Sequence, residues 1–259
     1  MKKGFIKIKD CQIYFEIYGK GIPLVLLHGG MGFDSSYFKV PGILDLSKSG
    51  FQIIIYDQRG HGKSDRCDPV YYTHKTWIND LQKITEKLKL KNFNLLGHSY
   101  GGWLAIAYAV KNPKELSNLI LLNTHAGPVD TSNVSKYKSN KEFKESGKNR
   151  WPLFFHTKNK YWDIFEKIVH SYKPFNKAYH QELKNYDFRN KIHQIKAKTF
   201  ILCGKYDKFF HDRSKDMHKA IPNSEFFIVP KSKHFPFIEN PSCFKRIIKS
   251  SLRNHENKI

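Results

Sequence analysis

The sequence predicts an α/β fold: a doubly wound, mostly parallel sheet with a short helical cap inserted between two core strands. Three observations carry this. Short unbroken apolar runs recur along the chain, the form expected of parallel strands buried on both faces. Stretches with helical spacing lie between them, and such alternation marks a sheet with helices on both sides. One long segment, residues 127–198, interrupts that rhythm.

Taken in order, Phe5–Ile8 and Ile13–Tyr18 read as two strands, the first opened by Gly4 and the second left through Gly19-Lys20-Gly21. Pro23–Leu27 is an apolar run ending at His28-Gly29-Gly30, and Phe51–Tyr56 is another ending at Asp57. Phe93–Leu96, Leu119–Leu122, Phe200–Cys203 and Phe226–Val229 repeat the form. Helices are expected over 76–90, 100–111, 212–220 and 241–253. Residues 1–126 and 199–259 therefore make the core, and 127–198 the insertion. That insertion holds aromatic clusters, Trp151-Pro152-Leu153-Phe154-Phe155 and Tyr161-Trp162-Asp163-Ile164-Phe165, and Trp162, Phe165, Ile168 and Val169 have helical spacing. It reads as a cap whose Trp151, Phe154 and Trp162 would meet substrate. The alternative is a set of surface helices with a small core of their own.

Size and composition set bounds. A chain of 259 residues suits one α/β domain, or one domain with an inserted lid. No run of 18 apolar residues occurs, so no membrane span is expected. Lys7, Lys9 and Asp10 break up the N-terminal stretch, so no secretory h-region is read there. The sequon Asn133-Val134-Ser135 is then a chance match, and a cytoplasmic protein is expected. Cys11, Cys67, Cys203 and Cys243 are irregularly spaced and are expected to be reduced thiols. The net charge of +22 comes from 38 Lys and only 7 Arg, spread along the whole chain. Nucleic-acid readers cluster such charge and favour Arg forks, so nucleic acid is not an expected partner. The charge reads either as Lys on solvated faces or as attraction to an acidic substrate or partner. An acidic acyl carrier protein is one such partner.

The chemistry centres on Gly97-His98-Ser99-Tyr100-Gly101, a G-x-S-x-G pattern between the apolar run Phe93–Leu96 and the helix-like run Trp103–Val110. This is the strand–turn–helix setting of a nucleophile elbow, in which Ser99 takes a strained conformation and glycines clear the space around it. A serine nucleophile needs a base, an orienting acid and oxyanion donors. His234 follows the last strand run and Asp207 follows Phe200–Cys203, giving the order Ser99…Asp207…His234. Asp130 is the competing acid. His98 should point away from Ser99, and His211 and His218 have no strand end before them. One oxyanion N–H should come from Tyr100 and the other from the His28–Gly32 loop, with Gly30 the first choice and Met31 the second. Met31 and Phe235 join the expected substrate contacts. Gly62-Lys63-Ser64 resembles the end of a phosphate loop, but Asp57 stands where its first glycine is needed. Neither a metal nor a dinucleotide cofactor is inferred.

These residues together resemble the α/β-hydrolase fold enzymes. The matching pieces are His28–Gly30, Asp57–Ser64, Gly97–Gly102, Gly204–Asp207 and His234–Pro241. The resemblance implies a serine hydrolase, a structural role for the Asp57–Ser64 turn, and a lid in 127–198. His28-Gly29-Gly30-Met31-Gly32 with Asp57-Gln58-Arg59-Gly60 is similar to prolyl iminopeptidases, which hold the substrate amine on cap carboxylates. The candidates would be Glu142, Glu145, Asp163, Glu166 and Glu182. Two features depart from that family: the cap is short, and between Pro128 and Lys198 it carries 16 Lys plus Arg against 7 Asp plus Glu. Small carboxylesterases share the remaining motifs, as do carbon–carbon bond hydrolases and some lactonases. The expected activity is cleavage of a small ester or amide, carboxylesterase-like, with an aminopeptidase on short peptides as the alternative. A non-catalytic ligand binder that keeps the three residues is the reading from a different class.

Overall fold

The computed structural model describes residues 1–158 and 160–253. Eight strands form one sheet: β1 (Lys2–Ile8), β2 (Cys11–Tyr18), β3 (Ile22–Leu27), β4 (Phe51–Tyr56), β5 (Phe93–His98), β6 (Leu116–Leu122), β7 (Lys198–Gly204) and β8 (Ser224–Val229). Their spatial order is β1-β2-β4-β3-β5-β6-β7-β8. β2 is antiparallel to both neighbours, and every pair from β4 to β8 is parallel. Each apolar run of the sequence becomes a strand.

Side-chain alternation splits the interior in two. On one face Val25, Leu27, Ile54, Leu95 and Leu121 pack under α2 (His74–Lys87), α3 (Tyr100–Lys111) and α7 (Lys208–Ala220). On the other, Leu24, Leu26, Ile53, Ile55, Ile120 and Leu202 pack under α1 (Pro41–Leu44) and α9 (Pro241–Arg253). Both faces are apolar because both are covered, which is why the strands read as continuous runs.

Two expected helices shift. Thr73 caps α2, its hydroxyl accepting the Thr76 N–H at 3.2 Å, and Lys89 beyond it has φ +56°, so the helix occupies 74–87 rather than 76–90. α7 starts at Lys208, four residues before the expected 212, because the chain turns into the helix directly after Asp207.

Between β6 and β7 there is no strand among the described residues. This stretch holds α4 (Asn140–Arg150), α5 (Trp162–Lys167), α6 (Tyr172–Lys177) and short single turns. Its aromatics Phe143, Trp151, Phe165 and Phe175 join the second core, so these side chains are packed onto the sheet layer. The short α8 (Pro236–Glu239) precedes α9.

The cysteine expectation is corrected at one pair. Cys11 and Cys67 form a disulfide with Cα atoms 6.2 Å apart, while Cys203 and Cys243 are free thiols. The pairing is tertiary in origin. The Gln12 N–H donates to Asp65 Oδ2 at 2.8 Å and the Asp65 N–H to the Gln12 carbonyl at 3.0 Å, which lays the 65–67 segment along the start of β2.

Candidate active site

The carboxyl ends of the parallel strands bring the candidate residues together, as open α/β sheets do. Ser99 stands between the end of β5 and the start of α3 with φ 53° and ψ −121°. An L-residue there is strained, and the surroundings enforce it. The Ser99 N–H donates to the Leu122 carbonyl at 2.9 Å, and its own carbonyl accepts from Gly102 N–H at 2.9 Å. A Cβ at Gly97 would lie 2.5 Å from the Gly101 carbonyl oxygen, and one at Gly101 would lie 2.2 Å from that of Leu27. Only glycine permits so close an approach of backbones. Ser99 occupies the helix-cap position, yet its hydroxyl does not cap α3.

Asp207 and His234 are buried neighbours from the ends of β7 and β8, with Nδ1 of His234 2.7 Å from Oδ2 of Asp207. The carboxylate can only accept, so Nδ1 carries the proton and Nε2 is the basic nitrogen. Asn123, at the end of β6, was not singled out from the sequence. Its Nδ2 donates to the same Asp207 oxygen at 2.7 Å and to the Lys233 carbonyl at 3.0 Å. It thus fixes the acid and the histidine loop together. A polar residue at a strand end beside that of Asp207 was the available signal. The Phe210 ring stacks on His234 at 5.1 Å, and the His234 N–H donates to the Phe154 carbonyl at 2.9 Å. Asp130 is exposed and bonded to Ser132, away from this cluster.

His98 bonds to Tyr37 and to the His234 backbone and makes no hydrogen bond to Ser99 among the described residues. Its Nε2 lies 2.8 Å from the His234 carbonyl and its Nδ1 3.1 Å from the Tyr37 hydroxyl. The carbonyl fixes the proton on Nε2, so Nδ1 accepts from Tyr37, whose oxygen accepts from the Gly29 N–H. One buried chain of hydrogen bonds therefore joins the loop after β3, the elbow and the His234 backbone. Burial, then the nearby His234, hold the His98 pKa well below its ordinary value, which keeps that pattern intact.

The His28–Gly32 loop is braced from the Asp57–Ser64 turn. His28 Nε2 accepts the Gln58 N–H at 3.0 Å, Gln58 Nε2 donates to the His28 carbonyl at 2.8 Å, and His61 Nε2 accepts the Gly32 N–H at 3.1 Å. Both rings must be neutral to accept. Burial lowers the His28 pKa to about 4 and that of His61 well below the usual value. Arg59 and Asp80 anchor the turn to α2 with two buried bonds of 2.6 and 2.8 Å. Gly29 N–H is committed to Tyr37. The N–H groups of Gly30, Met31 and Tyr100 have no acceptor among the described residues, which is the state an oxyanion donor needs before substrate arrives. Tyr100 also begins α3, where the helix dipole favours negative charge.

These groups open on a cavity of about 400 Å³. Gly30, Met31, Ser99, Phe154, Asp207, His234 and Phe235 line it, with Phe33, Phe143, Phe175, Tyr179, Phe209 and Phe210 completing a largely aromatic wall. Two expected contacts are corrected. Trp151 is fully buried behind the wall, 5.3 Å from the Phe235 ring, with its N–H on the Tyr161 carbonyl. Trp162 packs on Phe165 at 5.7 Å and does not reach the cavity. Aromatic clustering in the sequence marked this segment without telling wall from support.

The five cap carboxylates considered for an amine also lie elsewhere. Glu145, Asp163 and Glu166 pair with Lys148, Lys167 and Lys144 at the surface. Glu142 accepts the Lys138 N–H, and Glu182 accepts the His74 N–H at 2.7 Å. Asp207 is the only carboxylate among the described residues lining the cavity.

Comparison with known proteins agrees with this architecture. Proline iminopeptidase of Clostridioides difficile (strain 630) is 28% identical, with 98% of this chain and 99% of the relative covered. That alignment runs over 294 positions against 259 residues here, so the relative carries at least 35 residues without a counterpart. An esterase from Exiguobacterium antarcticum is 26% identical with a TM-score of 0.77, covering 95% of this chain and 98% of its own. The Mycobacterium smegmatis proline iminopeptidase superposes with a TM-score of 0.81 at 18% identity, covering 99% of both chains, which speaks to fold alone. A family model for the alpha/beta hydrolase fold matches residues 22–155 and 156–241. The chain belongs to the alpha/beta hydrolase fold family.

Proposed function

We propose that this protein is a serine hydrolase that cleaves a small ester through an acyl-enzyme at Ser99. His234 Nε2 takes the Ser99 proton as the oxygen attacks the carbonyl, then delivers it to the leaving group. Asp207 keeps the imidazole in the required tautomer and offsets its charge. The N–H groups of Gly30 and Tyr100 receive the oxyanion. Water then repeats the sequence and releases the acid. Residues 127–198 act as the cap that walls the acyl pocket.

The observation that carries the esterase reading is the cavity's charge. An aminopeptidase must hold a cationic α-amine. The one carboxylate lining this cavity among the described residues, Asp207, is already bonded to His234 and Asn123, and an unpaired buried cation would be costly. The names of the curated relatives favour the second reading, removal of an N-terminal proline. A panel of p-nitrophenyl esters from acetate upward, run beside proline 4-nitroanilide, separates the two. Turnover of the esters well above the anilide is expected. Preference for the anilide would reverse the assignment.

A further inference from the structure

Arg150 is the last residue of α4 and shares one face of it with Phe143 and Gly147, at spacings of four and three. All three line the Ser99 cavity. The Arg150 guanidinium lies 5.9 Å over the Tyr137 ring and has no ion-pair or hydrogen-bond partner among the described residues. That is unlike Arg59, Arg66, Arg189, Arg213, Arg246 and Arg253, whose side chains each donate to a carboxylate, a carbonyl or a sulfur. The nearby cap acids are taken by lysines. Lys233 belongs to the same lining. An apolar chamber with Arg150 in its lining, and no acceptor engaging that guanidinium among the described residues, is matched to a molecule that is apolar along its length and anionic at one end. A carboxylate suits the planar fork in two-point contact.

We propose that Arg150 forms an anion subsite in this cavity, so that the preferred substrate carries a carboxylate in addition to its scissile ester. The inference rests on the Ser99 hydrolase reading and narrows it from small esters to half-esters of dicarboxylic acids. The cap's overall positive charge would also attract anions, but only at long range. In 1 M salt the Debye length is about 3 Å, so steering fades while a direct contact persists.

The test compares mono(4-nitrophenyl) glutarate with 4-nitrophenyl pentanoate, which differ in the terminal carboxylate against a methyl. Both are measured in 1 M NaCl, in the wild type and in Arg150→Gln. The wild type should favour the glutarate in kcat/KM, and the substitution should lower the glutarate-to-pentanoate ratio by about tenfold or more. Arg150→Lys, which keeps the charge without the fork, should fall between. A ratio near one in the wild type, or a ratio unmoved by Arg150→Gln, overturns the subsite while leaving the hydrolase standing. Glutarate binding to Ser99→Ala protein, followed by calorimetry, covers the case in which neither ester turns over. Binding lost on adding Arg150→Gln then upholds the subsite and the serine mechanism falls. Absence of binding overturns the subsite as well.

Discussion

At the scale of the residue, the site is a set of hydrogen bonds whose direction is fixed by groups that can only accept. The His234 carbonyl sets the proton on His98, and the Asp207 carboxylate sets it on His234. Replacing Asp207 by Asn turns an acceptor into a donor beside Nδ1 and favours the wrong tautomer. Asp207→Asn is expected to lower kcat by about 10⁴, as where such a tautomer is lost in serine proteases. Asp130→Asn, at an exposed turn, should leave ester turnover near wild type. Equal losses in the two variants would move the acid away from β7. Ser99, Asp207 and His234 were legible in the sequence because each follows an apolar run that ends a strand. Asn123 and Tyr37 were not, since their roles depend on which strand ends become neighbours, and the order of strands in the sheet is not written in any local pattern.

At the scale of the element, two tight turns face each other across Ser99. A Cβ at Gly29 would sit 2.6 Å from the His98 carbonyl oxygen and 2.8 Å from Ser99 Cβ, so the His28–Gly32 loop and the turn at Ser99 are in van der Waals contact. Gly30→Pro removes one proposed donor and should lower kcat by roughly 10²–10³, with the circular-dichroism spectrum retained. A folded Gly30→Pro enzyme at full rate would contradict the role given to that N–H. All eight strands were readable, six of them as apolar runs, and α3 and α9 have the expected bounds. The insertion was readable only as an interruption. Its helices α5 and α6 are six residues each, too short to be stable without tertiary packing, so their sequence carries little helical signal. The same logic hid the Cys11–Cys67 disulfide, which joins positions 56 residues apart when the 65–67 segment lies along β2.

At the scale of the whole molecule, the fold buries an unusual set of neutral histidines. Burial lowers His28, His74, His125 and His170 to about 4, and puts His61 and His98 well below the ordinary value of 6.5. The unfolded chain takes up these protons near pH 6.5 and the folded chain does not. Their contribution to stability is therefore complete above pH 6.5 and is lost as the pH falls toward 4. Three acids act in the opposite sense: burial raises Asp34 to about 6 and raises Asp80 and Glu239, so each favours the fold as it becomes protonated. Six histidines outweigh three acids, and the urea midpoint should drop between pH 7 and pH 5. A midpoint that is flat or rises over that range would show that the histidines are not held neutral.

The central claim is that Ser99 is the nucleophile of this assembly. A fluorophosphonate probe followed by peptide mass spectrometry tests it most directly. The account predicts one stoichiometric adduct, located on Ser99, that forms slowly in Asp207→Asn and is absent in Ser99→Ala, with ester turnover lost in step. An unlabelled Ser99, or wild-type ester turnover by Ser99→Ala, would contradict it.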